Sequence, residues 1–483
     1  MDPRDTLHHL SQQVSLRIDT RDFAVILDEQ DPLAGHRSSF LFPKRHLVAT
    51  WSNIGGIETE EERKECFLYF CGNSLGLQHH GVLESLQQEL GKWGNQAVEG
   101  HFLQPNPWFE IDDVLRDDMA KIVGAQSSEV VIMNSLTVNL HLLLTAFYRP
   151  MPGSKRHKIL AENCPFPSDT HAFVSQIENR GFDARTAFIT VGGEEDEATP
   201  AVISTDRFLD AIERHGDDVA ILVLGAVHFL TGQLFDVAAI TRAAHAKGIL
   251  VGVDAAHAAG NVPLQLHDWG VDFACWCTYK YLNGGPGSIA AAFVHSKHTD
   301  VCGQSPDHVV APLRGWWGSN RSNRFNLSRT FQRSEGAAAF QLSNPSVVSI
   351  AALSPSVRLC ASIGLAALRS KSLLLTAYLE SLLLLHLPDK LLVVSPRDPQ
   401  QRGAQLSVRI VAGALQRGAK ALSSAYACGN DLHNDADLAQ RMLLDRGVMC
   451  DNRPPDLLRL TPVPTYNSFI DVFELVEKLR SIF

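Results

Sequence analysis

The part of the chain from about residue 70 to residue 310 alternates short apolar runs with stretches of helical periodicity. The apolar runs are Val130–Met133, Lys158–Leu160, Ala187–Val191, Val219–Leu224, Ile249–Val253, Phe273–Cys277 and Ile289–Val294. Strands with a continuous apolar sequence are buried on both faces, and the intervening helices supply the crossovers that parallel strands require. The pattern therefore predicts an α/β domain with a buried, mostly parallel sheet.

The sequence on either side of this region has a different character. Residues 1–65 are polar at first and are broken by prolines and a glycine pair, so we expect an N-terminal arm with some helix. Residues 66–345 are predicted to form the large domain, and residues 346–483 a smaller α+β domain. In that smaller domain we expect helical sequence over Ser346–Leu387, strands at Leu391–Val394 and Gln405–Arg409, a surface loop or insertion over Val411–Asn430, and helices over Asp435–Arg446 and Ser468–Phe483.

Composition excludes several classes of protein. The 483 residues are 45% hydrophobic and 20% charged, as in globular proteins, and a formal net charge of −10 disfavours nucleic acid as a partner. No apolar run is long enough to span a membrane, and the first residues lack the apolar core of a secretory signal. The nine cysteines are irregularly spaced, which favours reduced thiols in a cytoplasmic protein and predicts no metal site.

The most informative residues follow two neighbouring apolar runs. Asp254 ends the run Ile249–Val253, with His257 three residues later, and Lys280 follows the run Phe273–Cys277 and precedes a glycine-rich turn. An aspartate that holds a pyridine nitrogen protonated and a lysine that forms a Schiff base are the pair required by pyridoxal 5'-phosphate (PLP). The alternative is that Asp254 caps a helix and Lys280 is a solvated loop residue.

Two further features agree with a PLP site. Leu136 and Thr137 lie where the run Val130–Met133 turns into an apolar helix, and a helix N-terminus binds phosphate through its free N–H groups. An ordinary helix cap is the alternative there. Phe166 follows another strand and is suited to stack on the pyridine ring, or else to cover the core as a loop residue.

Beyond these features, the sequence resembles the kynureninases, which are fold-type-I PLP enzymes. The resemblance extends over nearly the whole chain, and its most distinctive part is the tryptophan-containing block that leads to the lysine. The motifs are Tyr69–Gln78, Asn134–His141, Phe166–Asp169, Val227–Phe229, Thr231–Gln233, Asp254–His257, His267–Ala274, Trp276–Asn283, Gly315–Gly318, Ser343–Pro345, Pro462–Pro464 and Tyr466–Phe469.

The resemblance implies a PLP fold-type-I large domain with a mostly parallel seven-stranded sheet, and a role for individual residues. Lys280, Tyr279 and Asp254 match catalytic residues. Those that match cofactor-binding positions are Leu136, Thr137, Phe166, Pro167, Ser168, Asp169, Gly225, Asp254, His257, Tyr279, Lys280, Trp316 and Asn344. Those that match substrate-binding positions are His101, Ser343, Asn344 and Arg459, the last as the arginine that binds the substrate carboxylate. Trp316 and Asn344 match residues contributed across a dimer, so a homodimer is implied.

The implied reaction is hydrolysis of the Cβ–Cγ bond of L-kynurenine or 3-hydroxy-L-kynurenine to an anthranilate and L-alanine, in tryptophan catabolism and NAD biosynthesis. Two features depart from the family: Gly225 stands where vertebrate members carry serine, and Val411–Asn430 is longer than expected. The alternatives are another fold-type-I enzyme, either an aminotransferase or a cysteine desulfurase, for which Cys302 would be the nucleophile to examine, and a non-catalytic protein with the same fold.

Overall fold

The computed structural model describes residues 2–48, 65–192, 202–299, 310, 312–326, 330–415 and 434–483. Its strands, in chain order, are β1 Phe40–Leu41, β2 Leu68–Tyr69, β3 Gln78–His79, β4 Val130–Ile132, β5 Lys158–Glu162, β6 Phe188–Val191, β7 Val219–Gly225, β8 Leu250–Asp254, β9 Phe273–Trp276, β10 Ala291–Val294, β11 Leu391–Val393, β12 Leu406–Ile410, β13 Val448–Met449, β14 Asp451–Arg453 and β15 Leu457–Leu460.

Helices connect these strands. They are α1 Pro3–Val14, α2 Arg21–Glu29, α3 Arg45–Val48, α4 Gly81–Gln96, α5 Arg116–Val123, α6 Leu136–Phe147, α7 Pro167–Asn179, α8 Ala184–Ala187, α9 Thr205–His215, α10 Val237–Ala246, α11 Val347–Ile363, α12 Leu365–His386, α13 Asp435–Asp445 and α14 Phe469–Arg480. Among the described residues, no single helix is long and apolar enough to cross a membrane, and only the bent pair α11 and α12 passes that test when counted together.

The predicted large sheet is confirmed. Seven strands pair in the order β4-β10-β9-β8-β7-β5-β6. Strand β10 runs antiparallel to both of its neighbours, and the other pairs are parallel. All seven predicted runs are strands, with ends that differ by one to two residues. The core between sheet and helices includes Leu140, Leu143, Ile159, Phe173 and Phe273, all essentially buried.

Packing divides the described chain into two units. One falls within Met1–His80, Leu230–Leu234 and Ala366–Phe483, and the other within Gly81–Phe229 and Phe235–Leu365. We call them the terminal unit and the sheet unit. The prediction of three consecutive domains, 1–65, 66–345 and 346–483, stays a prediction.

The terminal unit contains the predicted smaller α+β structure. Strands β11, β12, β15 and β14 form a four-stranded antiparallel sheet in that order. Helices α1 and α2 contribute Leu7, Phe23 and Leu27 to the same core as Tyr378 and Leu475. The sequence did not predict this sharing of a core, and it did not predict strands β14 and β15. Of the predicted loop over Val411–Asn430, residues 416–430 lie outside the described residues, as does Cys302.

Candidate functional site

The candidate site lies at one edge of the large sheet, where three adjacent parallel strands end. Strand β5 ends at Glu162, β7 at Gly225 and β8 at Asp254, and Gly225 is the partner of Asp254 in the register. Ligands of α/β sheets bind outside the carboxyl ends of the strands. A pocket at this edge is lined by Leu136, Thr137, Glu162, Phe166, Ser168, Asp169, Gly225, Val227, Phe229, Asp254, Ala256, His257, Tyr279 and Lys280.

The pocket brings together most of the residues predicted for the cofactor. Ten of them line it, from Leu136 to Lys280, and Pro167 is the first residue of α7 between two of them. The carboxyl of Asp254 is held in place because its Oδ1 accepts the Ala256 N–H at 2.7 Å. Glu162, Val227, Phe229 and Ala256 complete the lining and were not predicted. Like Asp254, Glu162 is an acid at the end of an apolar strand. This sequence feature could have identified Glu162 as a site residue.

The helix N-terminus at Leu136 offers free donors to the pocket. The preceding residue, Ser135, makes no side-chain cap, so the first N–H groups of α6 have no partner from it. Asn134 makes the turn with a φ of 50°, which asparagine tolerates, and its side chain donates to Asn139 at 2.9 Å. The first turn of a helix carries a positive partial charge, so this end of the pocket suits a phosphate.

The lining of the pocket also contains the lysine and three aromatic residues. Lys280 Nζ lies 5.8 Å from the centre of the Phe166 ring, which packs edge-to-face on Phe229 at 5.1 Å. The loop that carries Lys280 is fixed by Thr278, whose hydroxyl donates to the Ile289 carbonyl at 2.6 Å. Tyr279 also faces the pocket, and its burial raises its pKa. A tyrosine in this state is a proton donor at neutral pH.

Three carboxyl groups share this pocket with one lysine amine. They are Glu162, Asp169 and Asp254, which we call the pocket cluster. Burial raises the pKa of Glu162 to about 8, and burial together with the neighbouring Asp254 raises the pKa of Asp169 well above its ordinary value. The pocket thus holds more carboxyl groups than amines, and a carboxylate among them can pair with a bound cation such as a protonated pyridine nitrogen.

These features fit PLP. The helix N-terminus suits the phosphate, Lys280 the aldehyde, and a carboxylate at the sheet edge the ring nitrogen. In addition, Glu162 Oε2 is buried and has no hydrogen-bond partner among the described residues, as expected for an atom that a ligand completes. The chemistry of the residues present therefore agrees with the predicted cofactor.

The remaining residues predicted from the sheet unit do not belong to this lining. Trp316 is 53% exposed and lines a separate cavity with Arg314 and Arg324. Ser343 and Asn344 are exposed just before α11. His101 ends a short 3-10 helix, where its ring packs edge-to-face on Trp108 at 5.3 Å. Within one chain these residues thus lie apart from the pocket lining.

In the terminal unit, Arg459 lies on β15 and is 1% exposed. Its guanidinium forms a buried ion pair with Asp451 on β14, and it donates to the Ser74 hydroxyl at 3.2 Å. Burial lowers the pKa of Arg459, with the charge of Asp451 acting in the opposite direction. Asp451 orients the arginine and was missed by the sequence analysis, because a two-strand hairpin with short strands gives little periodic signal.

A second group of acids lies in the sheet unit outside the pocket lining. We call this group the junction cluster. Its acids are Glu129 and Asp272, and its other members are His245, His267, His295, Lys297 and His298. Ligand atoms of Glu129, His267 and His295 lie within 4.8 Å of one another. The Glu129 oxygens, however, already accept from the Gln126 and Ser296 N–H groups and contact His267 Nδ1. We therefore assign the cluster to the scaffold.

Comparison with known proteins identifies the family. Residues 69–427 match the family Aminotransferase class-V, and residues 430–479 match the Kynureninase C-terminal domain. A kynureninase of Myxococcus xanthus is 43% identical over 96% of this chain and 97% of its own length, and one of Nematostella vectensis is 40% identical over 100% and 98%. Among solved structures, a C-DES mutant with glycine covalently linked to its PLP cofactor has a TM-score of 0.64 at 15% identity, covering 91% of this chain and 100% of that one, and shows the shared fold.

The first match identifies the class of enzyme to which the fold belongs, and the match of the C-terminal part identifies the family within it. The large sheet and its pocket are those of the fold-type-I PLP enzymes, as the sequence predicted. The chain therefore belongs to the aminotransferase class-V family and, within it, to the kynureninases.

Proposed function

We propose that this chain is a PLP-dependent hydrolase that cleaves the Cβ–Cγ bond of L-kynurenine, of 3-hydroxy-L-kynurenine or of both. Water is consumed, and the products are an anthranilate or 3-hydroxyanthranilate and L-alanine. The reaction belongs to tryptophan catabolism and NAD biosynthesis. The observation that carries the proposal is the pocket that joins Lys280, Asp254 and the N-terminus of α6, in a chain about 40% identical to kynureninases over its full length.

When bound, PLP supplies an electron sink for the carbanion formed at the α-carbon of the substrate. Asp254 keeps the ring nitrogen protonated, which makes the sink effective. Lys280 would hold the aldehyde covalently, and its free amine would move the α-proton of the substrate. Tyr279 delivers a proton beside it, since its raised pKa keeps the phenol protonated. The first N–H groups of α6 hold the phosphate, and Phe166 covers the ring.

For the substrate, Arg459 binds the α-carboxylate. Its planar guanidinium matches a carboxylate, and the ion pair with Asp451 together with Ser74 orients it. His101, Ser343 and Asn344 contact the aromatic end of the substrate, and the hydroxyl of 3-hydroxykynurenine is distinguished there.

A homodimer accounts for the residues that lie apart from the pocket lining. Trp316 and Asn344 reach the cofactor site of a second copy. An exposed apolar patch supports this assembly: Phe102, Trp316 and Phe325 are each more than half exposed, and Phe325 contacts both other rings. Sedimentation of the PLP-loaded protein is expected to give the mass of two chains, and a single-chain mass would refute this part.

We also propose a cytoplasmic location. The described cysteines are free thiols, and a reducing compartment keeps them so; they are Cys66, Cys71, Cys164, Cys275, Cys277, Cys360 and Cys450.

Product analysis tests the proposed reaction. The protein, with added PLP, is incubated with kynurenine or 3-hydroxykynurenine, and the anthranilate and alanine are quantified. We expect equal amounts of the two products and at least about a 10²-fold loss of rate for Lys280→Ala, with Lys121→Ala, an exposed lysine on α5, as the matched control. Borohydride reduction followed by peptide mapping is expected to leave PLP on Lys280.

Other products would identify a different enzyme. Formation of pyridoxamine phosphate with a requirement for a keto acid would indicate an aminotransferase, and sulfur release from cysteine a desulfurase. Kynurenine left intact by a PLP-loaded protein would overturn the proposed function.

A further inference from the structure

Glu162 is a buried acid in the pocket to which the reaction above assigns no role. It is the last residue of β5 and is 4% exposed. The neighbouring strand β7 ends at Gly225, and the strand after that ends at Asp254. Two acids thus stand on the two sides of a strand end that has no side chain of its own.

The carboxyl of Glu162 lies directly beside the space that a side chain at position 225 would take. Its Oε1 accepts the Gly225 N–H at 3.1 Å. A Cβ built on Gly225 would lie 3.1 Å from the same oxygen, which is closer than nine in ten real Cβ contacts. Glycine at 225 therefore leaves room for the Glu162 carboxyl, which presents itself to the pocket in place of a side chain from β7.

The second carboxyl oxygen of Glu162, Oε2, is evidence for a bound ligand. Oε2 is buried and has no hydrogen-bond partner in the described part of the protein, although Glu162 lines the pocket. A buried polar atom left in this state is destabilising, so native proteins complete such atoms with a partner. The partner expected here is a molecule bound in the pocket.

The protonation state of Glu162 decides which kind of partner it takes. Burial raises its pKa to about 8, and Asp254 adds to the effect, so the carboxyl is neutral at pH 7 and Oε2 can carry a proton. Other titratable groups also face or neighbour the pocket, and these are Cys164, Asp169, His228, Asp254, His257, Tyr279 and Lys280. Among these acids, a neutral Glu162 can donate a hydrogen bond from its carboxyl, so its expected partner is a hydrogen-bond acceptor.

PLP has three groups that can accept hydrogen bonds from the protein. The phosphate is assigned to α6 and the aldehyde to Lys280, which leaves the phenolic oxygen of the ring. We propose that Glu162 is a positioning residue whose protonated carboxyl, anchored on the Gly225 N–H, donates a hydrogen bond from Oε2 to the phenolic oxygen of PLP. This inference rests on the proposed function for the identity of the cofactor.

The test compares PLP binding and the visible absorption of bound PLP in four proteins without substrate. They are the wild type, Glu162→Gln, Glu162→Ala and, as a control, Glu178→Gln, which changes an exposed glutamate on α7. The amide of glutamine is neutral at every pH and still donates. At pH 7 we expect Glu162→Gln to bind PLP within about threefold of wild type and Glu162→Ala to bind it about 10- to 100-fold more weakly.

The pH dependence gives a second readout. Glu162 ionises as the pH rises through about 8, so it loses its donor and repels the phenolate. We expect PLP binding by the wild type and the control to weaken above that pH, with a change in the visible band, and Glu162→Gln to lack this alkaline step. Circular dichroism establishes that each variant is folded; if Glu162→Ala is not, the glutamine variant decides.

Two results would overturn the proposal. One is a Glu162→Gln protein that binds PLP as weakly at pH 7 as Glu162→Ala, since that would make Glu162 an ionised acceptor. The other is an alkaline step that persists in Glu162→Gln. Failure of the proposed function is distinct from both, because it would appear as a wild type that does not bind PLP or does not cleave kynurenine.

Discussion

In the two acid clusters of the sheet unit, the pKa values of the buried acids are shifted in opposite directions. In the junction cluster, burial alone would raise the pKa of Asp272, but hydrogen bonds with His245 and His298 and the charge of Lys297 hold it far below its ordinary value. In the pocket cluster, Glu162 and Asp169 have raised pKa values, with Lys280 as the nearby base. The acids of both clusters are buried, so the difference in their pKa values comes from their partners.

The comparison distinguishes acids that stabilise the fold from acids whose hydrogen bonds would be completed by a ligand. The protein satisfies Asp272 from several sides, including the Val251 N–H at 2.6 Å. In contrast, none of the residues that the structure describes forms a hydrogen bond with Glu162 Oε2. Perturbed acids with incomplete partners in a pocket are typical of functional sites, whereas fully paired acids are typical of structural networks.

Loss of the Asp254 charge is expected to have the largest effect on function. Asp254→Asn removes the carboxylate that keeps the ring nitrogen protonated, and we expect the kcat for kynurenine to fall about 10²- to 10⁴-fold. The free energy of unfolding of the cofactor-free protein should fall by less than about 1.5 kcal/mol, because the amide oxygen of asparagine can still accept a hydrogen bond from the protonated Asp169. Asp268→Asn, in an exposed loop, is the control, and a kcat within tenfold of wild type would contradict the role of Asp254.

Truncation in the junction cluster is expected to produce the opposite pattern. Asp272→Ala leaves Lys297 and two histidines without their acid, and we expect a loss of about 3–5 kcal/mol in the free energy of unfolding. The absorption of bound PLP should be unchanged in the folded variant. Asp217→Ala, which breaks an exposed ion pair with Lys155, should cost less than about 1 kcal/mol. Equal losses in the two variants would contradict the structural role of Asp272.

The pH dependence of stability is the smallest effect and sharpens the comparison. The folded pKa of Asp272 lies below its unfolded value, so its stabilisation is complete above about pH 5 and is lost as the pH falls. Between pH 4 and pH 3, Asp272→Ala should show a slope of unfolding free energy against pH that is smaller by about 0.9 kcal/mol per pH unit. Denaturant titrations of the cofactor-free proteins measure it, and parallel slopes would contradict the assignment.

The sequence predicted those parts of the molecule that depend on local pattern. Apolar runs located the seven strands, and the acid and lysine after two of them located the pocket. Glu162 was missed because its run was taken to end at Leu160, two residues before the strand does. The short strand that carries Arg459 follows two prolines, which hide its periodicity. The positions of His101 and Trp316 depend on packing between distant segments, which no single-sequence pattern records.

The shared core of the terminal unit has a consequence for synthesis on the ribosome. Phe23 on α2 packs against Tyr378, and Asp28 caps α14 by accepting the Phe469 N–H at 2.7 Å. Translation therefore exposes the first two helices long before their partners emerge from the exit tunnel. During that interval the apolar face of α2 is available to chaperones and proteases, and the terminal unit closes only when the last helix has been made.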